Sequence, residues 1–160
     1  MNAIDLLEAQ HREVDALFAK AEAASGAGKR ALFEQIADAL AIHATIEEKV
    51  FYPAVKARRT EDVLLESLEE HLGIKRVLAD LLDLQPSDET FDSKMKVLKE
   101  QVEHHVEEER TELFPKVGKL LDGEQLEAVG QEMLALASTL QGTRPRNAVR
   151  RQTDEAAPLP

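Results

Sequence analysis

Apolar residues recur at steps of three and four along most of the chain, and no stretch alternates apolar and polar residues over a useful length as a half-buried strand does. The stripes Ile4, Leu7, Val14, Phe18; Phe33, Ile36, Leu40, Val50; Leu64, Leu68, Leu78; and Met95, Leu98, Val102, Leu113 each keep to one face of a helix. The first helix is expected over about Asn2 to Ala24, with Asn2 and Asp5 resembling a capping box, and it stops at Ser25-Gly26-Ala27-Gly28. A second runs from about Lys29 into the fifties, where Pro53 kinks or ends it. A third starts near Thr60, with Glu61 and Asp62 at the positive end of its dipole, and stops before Pro86. A fourth follows Ser87 or Asp88 and reaches Pro115 or somewhat beyond, and a shorter fifth follows Asp122-Gly123 and ends at Gly142. Short connections make neighbours antiparallel, so the expected fold is all-α, an up-down-up-down four-helix bundle with a short fifth helix. Residues 1–142 form one domain in this reading. Residues 143–160, rich in Pro, Arg and Ala, are expected to be a disordered tail whose removal leaves the rest intact.

Sliding the chain against itself shows a repeat. His43, Glu47 and Pro53 recur 62 positions later as His105, Glu109 and Pro115, and Ile36, Leu40, Phe51 and Tyr52 as Leu98, Val102, Leu113 and Phe114. His11 and His71 match at an offset of 60. The chain reads as two helix hairpins of one design about a pseudo-two-fold axis.

The repeat marks the polar residues that interrupt the apolar stripes. His11, His43, His71 and His105 each stand where leucine is expected, and so do Glu47 and Glu109. Burying a carboxylate without compensating charge is very unfavourable. The two glutamate-bearing stripes hold no Lys or Arg at core positions to supply that charge. Two metal cations supply it and also use the imidazole nitrogens. The i,i+4 spacing of His43 with Glu47 and of His105 with Glu109 aims both side chains of each pair at one point. Mixed histidine and carboxylate ligation suits iron, manganese or zinc better than magnesium or calcium. His104, one residue off the stripe, is read as solvated or as an outer neighbour of the site; Glu48, Glu107 and Glu108 as solvated faces; and Tyr52 as packing near the bundle end, with hydrogen-bond donation to the site or ligation as the alternative.

Composition narrows the chemistry. There is no cysteine, so neither a disulfide framework nor a thiolate metal site is available. The formal net charge of −11 argues against nucleic acid as a partner. No apolar run approaches the roughly 20 residues of a membrane span. Met1-Asn2-Ala3-Ile4-Asp5 lacks the basic and apolar segments of a secretory leader, so a soluble cytoplasmic protein is expected.

His11, His43-Ala44-Thr45-Ile46-Glu47, His71 and His105-Val106-Glu107-Glu108-Glu109, with the flanks Phe51-Tyr52-Pro53 and Leu113-Phe114-Pro115, resemble the pattern of hemerythrin-like HHE cation-binding domains over roughly residues 1–140. The resemblance implies a hemerythrin-like bundle and a non-haem di-iron centre, each iron held by two of the four histidines, with the glutamates bridging. Oxygen-carrying hemerythrins have a further histidine four residues after the one on the third helix, and an Asp five after the one on the fourth; here Lys75 and Arg110 stand at those places. With an oxo or hydroxo bridge, an idealised count leaves about one open position per iron. The expected activity is therefore reaction with peroxide, dioxygen or nitric oxide, including catalase-like consumption of peroxide. The alternatives are a non-enzymatic gas-binding, sensing or iron-buffering module, and a bundle in which zinc or manganese replaces iron or only holds the core together. Small molecules are the expected partners, and the oligomeric state is left open.

Overall fold

A computed structural model describes all of residues 1–160, and every regular element in it is helical. The helices are α1 (Ala3–Ala23), α2 (Gly26–Ile46), α3 (Tyr52–Val55), α4 (Glu61–Leu82), α5 (Phe91–Glu108), α6 (Phe114–Leu120) and α7 (Gly123–Leu140). A π turn over Glu47–Phe51 joins α2 to α3, a second over Glu109–Leu113 joins α5 to α6, and a 3-10 helix spans Pro145–Gln152. The Asn2 side chain accepts from the Asp5 backbone N–H at 2.9 Å, as the sequence predicts.

Neither Pro53 nor Pro115 ends its rod. A proline ring collides with the carbonyl four residues back in an ordinary helix. Here those carbonyls, on Lys49 and Thr111, lie inside the π turns, where the backbone is wider. The Tyr52 and Phe114 N–H groups instead reach back five residues, to the carbonyls of Glu47 and Glu109.

The core is two apolar clusters with a polar layer between them. One contains Val14, Leu40, Ile74 and Val102; the other contains Leu7, Ile46, Leu68 and Leu113. Going along the chain, α1 passes from the second cluster through His11 to the first, and α2 returns through His43 and Glu47. Helix α4 repeats the first crossing through His71, and α5 the second through His105 and Glu109. This alternation is the up-down-up-down bundle expressed in side chains. Helix α7 lies against α1 and α2. Gly130 permits that approach, because a Cβ there would stand 2.7 Å from the Asn2 carbonyl carbon. No helix is long and apolar enough to cross a membrane.

The C-terminal segment departs from expectation. The tail expected to be disordered packs on the bundle: its 3-10 helix lies against α2 and α4, and Val149 is buried in the first cluster. The Arg146 guanidinium binds Asp38 at 2.7 Å and Glu34 at 3.1 Å, and Arg150 binds Asp83 at 2.8 Å. One buried valine makes no periodic stripe, and ion pairs to residues 67 to 112 positions away leave no local signature.

Candidate metal centre

All six residues singled out from the stripes converge between the two clusters. Each π turn begins with a glutamate, so the widened turns of α2 and α5 present Glu47 and Glu109 inward, both fully buried. Glu47 Oε1 lies 3.0 Å from His43 Nε2, 3.1 Å from His71 Nε2 and 3.5 Å from His105 Nε2. Glu109 Oε1 lies 3.4 Å from His11 Nε2, 3.5 Å from His105 Nε2 and 4.0 Å from His43 Nε2. The imidazoles fall into two pairs, His11 with His43 and His71 with His105, with ring centroids 4.9 and 4.7 Å apart. Both carboxylates thus reach histidines of both pairs.

Several features test whether these residues fit metal ions. Buried polar atoms are ordinarily hydrogen-bonded. Five buried side-chain polar atoms have no partner, and four of them, His11 Nε2, His43 Nε2, Glu47 Oε2 and Glu109 Oε1, belong to this cluster. One ligating atom each from His43, Glu47, His105 and Glu109 fits within 4.8 Å. His71 Nε2 and His105 Nε2 stand 3.2 Å apart; two nitrogens bound side by side to one ion at about 2.1 Å each would be ~3 Å apart. The donor set fits.

Outer residues turn the histidines inward. Gln10 Oε1 accepts from His43 Nδ1 at 2.7 Å, Glu70 Oε1 from His105 Nδ1 at 2.8 Å, and Glu48 Oε2 from His71 Nδ1 at 2.8 Å. A proton held on Nδ1 leaves the Nε2 lone pair free for a metal. Gln10 and Glu70 immediately precede His11 and His71, so the 60-residue offset, carried one position back, was the sequence signal for both. Glu48 corrects the sequence reading: rather than being solvated, it is largely buried against His71 and Lys75, whose Nζ lies 2.9 Å away. It lies in the first π turn and is held by these two partners on α4. Its counterpart, Arg110, pairs with Glu107 at the surface instead. His104 is exposed and lies 3.1 Å from Glu70, so it is both solvated and an outer neighbour of the site.

In the metal-free cluster, carboxylates and imidazoles balance their charges by sharing protons. Burial raises the Glu47 carboxyl, but the His43 charge and the close approach of Glu109 and His105 outweigh it and hold Glu47 well below the usual carboxylate range. At Glu109, burial and the Glu47 charge prevail and push the carboxyl up. Burial lowers His71 and His105, yet surrounding carboxylates overcome it and hold both imidazoles above the ordinary value. Glu48 and Glu70 are lowered against the effect of burial by hydrogen bonds to His71 and His105.

Tyr52 is a second residue underrated from sequence. It is completely buried, its hydroxyl donates to Glu109 Oε2 at 2.9 Å, and that hydroxyl stands 3.3 Å from His71 Nε2. Burial and the charges of Glu109 and Glu47 push the phenol well above its ordinary value, so it stays a donor. Tyr52→Phe strips Glu109 of that donor in a water-free setting. The expected cost is about 1–3 kcal/mol in urea unfolding of the metal-free protein at unchanged m-value. An unmoved midpoint would show that Glu109 does not depend on Tyr52.

Comparison with known proteins identifies the family and the fold. Residues 2–117 match the family described as hemerythrin HHE cation binding domain. A protein of Nostoc sp. named DNA nickase is 31% identical over 142 residues, which are 88% of this chain and 40% of that protein. The chain therefore spans about two fifths of that relative's length. The crystal structure of a hemerythrin HHE cation binding domain-containing protein from Mycobacterium kansasii superposes with a TM-score of 0.83 at 24% identity, covering 94% of this chain and 98% of that one. At that identity the likeness concerns the fold.

Proposed function

Because this chain belongs to the hemerythrin HHE cation-binding domain family, we propose that it is a non-haem di-iron protein that reacts with peroxide, dioxygen or nitric oxide. In this reading His11, His43, Glu47, His71, His105 and Glu109 hold two iron ions. The observation that carries it is the convergence of four unpartnered, buried ligand atoms in a layer enclosed by apolar clusters. A pair of iron ions, when bound, supplies redox chemistry toward these small molecules.

The chain's own residues do the rest. Gln10, Glu70 and Glu48 hold protons on the outer nitrogens of three histidines. Tyr52 orients the Glu109 carboxylate through its Oε2. The apolar clusters on both sides keep bulk water out. Lys75 stands where a carrier has its fifth histidine, and its ammonium is tied to Glu48, so it leaves one nitrogen ligand fewer than in an oxygen carrier. That favours turnover of peroxide over reversible oxygen carriage. Peroxide dismutation balances without an outside reductant: one molecule is oxidised to dioxygen and a second is reduced to water. The acid-rich chain, with a formal net charge of −11, supports a small-molecule role over contact with a polyphosphate strand, whatever the longer Nostoc protein does.

The test is metal analysis of protein purified from iron-replete cells, with a visible spectrum and oxygen release followed after adding peroxide. About two irons per chain, a changed spectrum and released oxygen are expected. Absence of bound metal, or a single zinc without iron, would overturn the reading.

A further inference from the structure

We propose that the 3-10 helix Pro145–Gln152 is the size filter of the metal centre, and that Val149 and Gln152 restrict the centre to molecules of two or three heavy atoms. This rests on the proposed function for what the centre does, but the filter itself is a property of the chain with or without metal. A cavity of about 30 Å³ reaches the layer of His11, His43, His71 and His105, and Val149 and Gln152 from the C-terminal segment complete its wall. A single water needs roughly 10–15 Å³ of such space. The cavity therefore holds at most about two water-sized molecules before any ion is seated among the histidines, an upper limit that already shuts out a branched organic hydroperoxide. Val149 is 2% exposed, whereas Gln152, the other residue of this segment that lines the cavity, is exposed.

The way this segment is held suits a filter. Arg144 adopts a left-handed conformation (φ 56°) and turns the chain into the 3-10 helix after α7. From there Arg146 is clamped to Asp38 and Glu34 on α2. On the α4 side, Arg150 binds Asp83, and the Arg76 guanidinium donates to the carbonyl oxygens of Thr153 and Asp154 at 2.9 and 3.2 Å. The strap thus spans the seam between α2 and α4, the helices that carry His43 and His71, with Val149 as its one deeply buried side chain. A segment fastened by partly exposed ion pairs and one apolar side chain opens at lower free energy than the bundle itself. It also lies beyond residues 2–117, the part matched by the family.

The test compares full-length Val149→Ala, Gln152→Ala and Arg146→Ala with the parent chain, with folding checked by circular dichroism. In the metal-free protein, diethylpyrocarbonate modification of each histidine is followed by mass spectrometry. In the parent, exposed His104 is expected to react fast, while His11, His43, His71 and His105 are protected. Val149→Ala and Arg146→Ala are expected to speed modification of those four by about tenfold, as expected for loss of a buried side chain or an anchor from a locally opening segment, with His104 unchanged. In the iron-loaded protein, the parent is expected to consume hydrogen peroxide but not tert-butyl hydroperoxide, and Val149→Ala and Gln152→Ala to consume both. Equal protection of the four histidines in folded parent and variants would overturn the filter, as would equal consumption of both peroxides by the parent. If no iron binds, the proposed function falls, while the histidine-modification result still decides the filter.

Discussion

Glu47→Ala or Glu109→Ala is expected to reduce bound metal from about two ions per chain to one or none, because each carboxylate reaches histidines of both pairs and its loss weakens both halves at once. Glu107→Ala is expected to leave stoichiometry unchanged, since Glu107 is exposed and faces Arg110. Glu48→Ala falls between them. Its carboxylate does not face the centre of the cluster, but it holds His71 Nδ1, and losing such an outer partner typically weakens metal affinity by about 10–100-fold. Metal stoichiometry by elemental analysis and affinity by chelator competition separate the three outcomes. Equal losses in all variants would mean that a general loss of acidity, rather than this geometry, controls binding.

The ordering of those variants shows where sequence reasoning reaches its limit. Residues on a regular stripe were legible: helical periodicity together with the 62-residue repeat picks out His43, Glu47, His105 and Glu109, and His11 and His71 emerge from the matching hairpins. The bundle and its short fifth helix were legible for the same reason. Glu48 was not, because periodicity places it one residue off the stripe, and the His71 and Lys75 contacts that bury it come from another helix. The hydroxyl of Tyr52 was ambiguous, since aromatic residues at a bundle end normally pack, and only the three-dimensional approach of Glu109 Oε2 decides its role. Gln10 and Glu70 act across helices on histidines 33 and 35 positions away, and Arg146 acts on Asp38 108 positions away. The matched places of Gln10 and Glu70 before His11 and His71 mark those two residues in the sequence, but which histidine each one holds becomes visible only once the chain is folded.

Removing the metal is expected to destabilise the protein strongly, and by an amount that depends on pH. A ligand that binds only the folded state adds about 4 kcal/mol of stability when it is ~1,000-fold above its dissociation constant. For a chain of this size that corresponds to a melting shift of about 8–16 °C. The metal-free protein has its own pH profile. His71 and His105 are held above their ordinary 6.5 by neighbouring carboxylates, despite burial. Their contribution is complete below pH 6.5 and is lost as pH rises through the elevated folded values. Glu109, raised above 4.5 chiefly by burial, likewise contributes at low pH and loses that contribution as pH rises. Glu47 runs the other way: its lowered carboxyl contributes fully above pH 4.5 and loses that contribution as pH falls. Glu47, His71 and His105 therefore contribute together between pH 4.5 and 6.5, where the Glu109 contribution is already falling, and the metal-free chain declines toward alkaline pH. Metal binding reverses the slope, because histidine must be unprotonated on the ligating nitrogen and protons compete with the ion. The gap in melting temperature between loaded and metal-free protein is expected to widen from pH 5.5 to pH 8. Calorimetric scans of both forms across that range check it; a constant or narrowing gap would mean that the buried imidazoles are not the groups that exchange protons for metal.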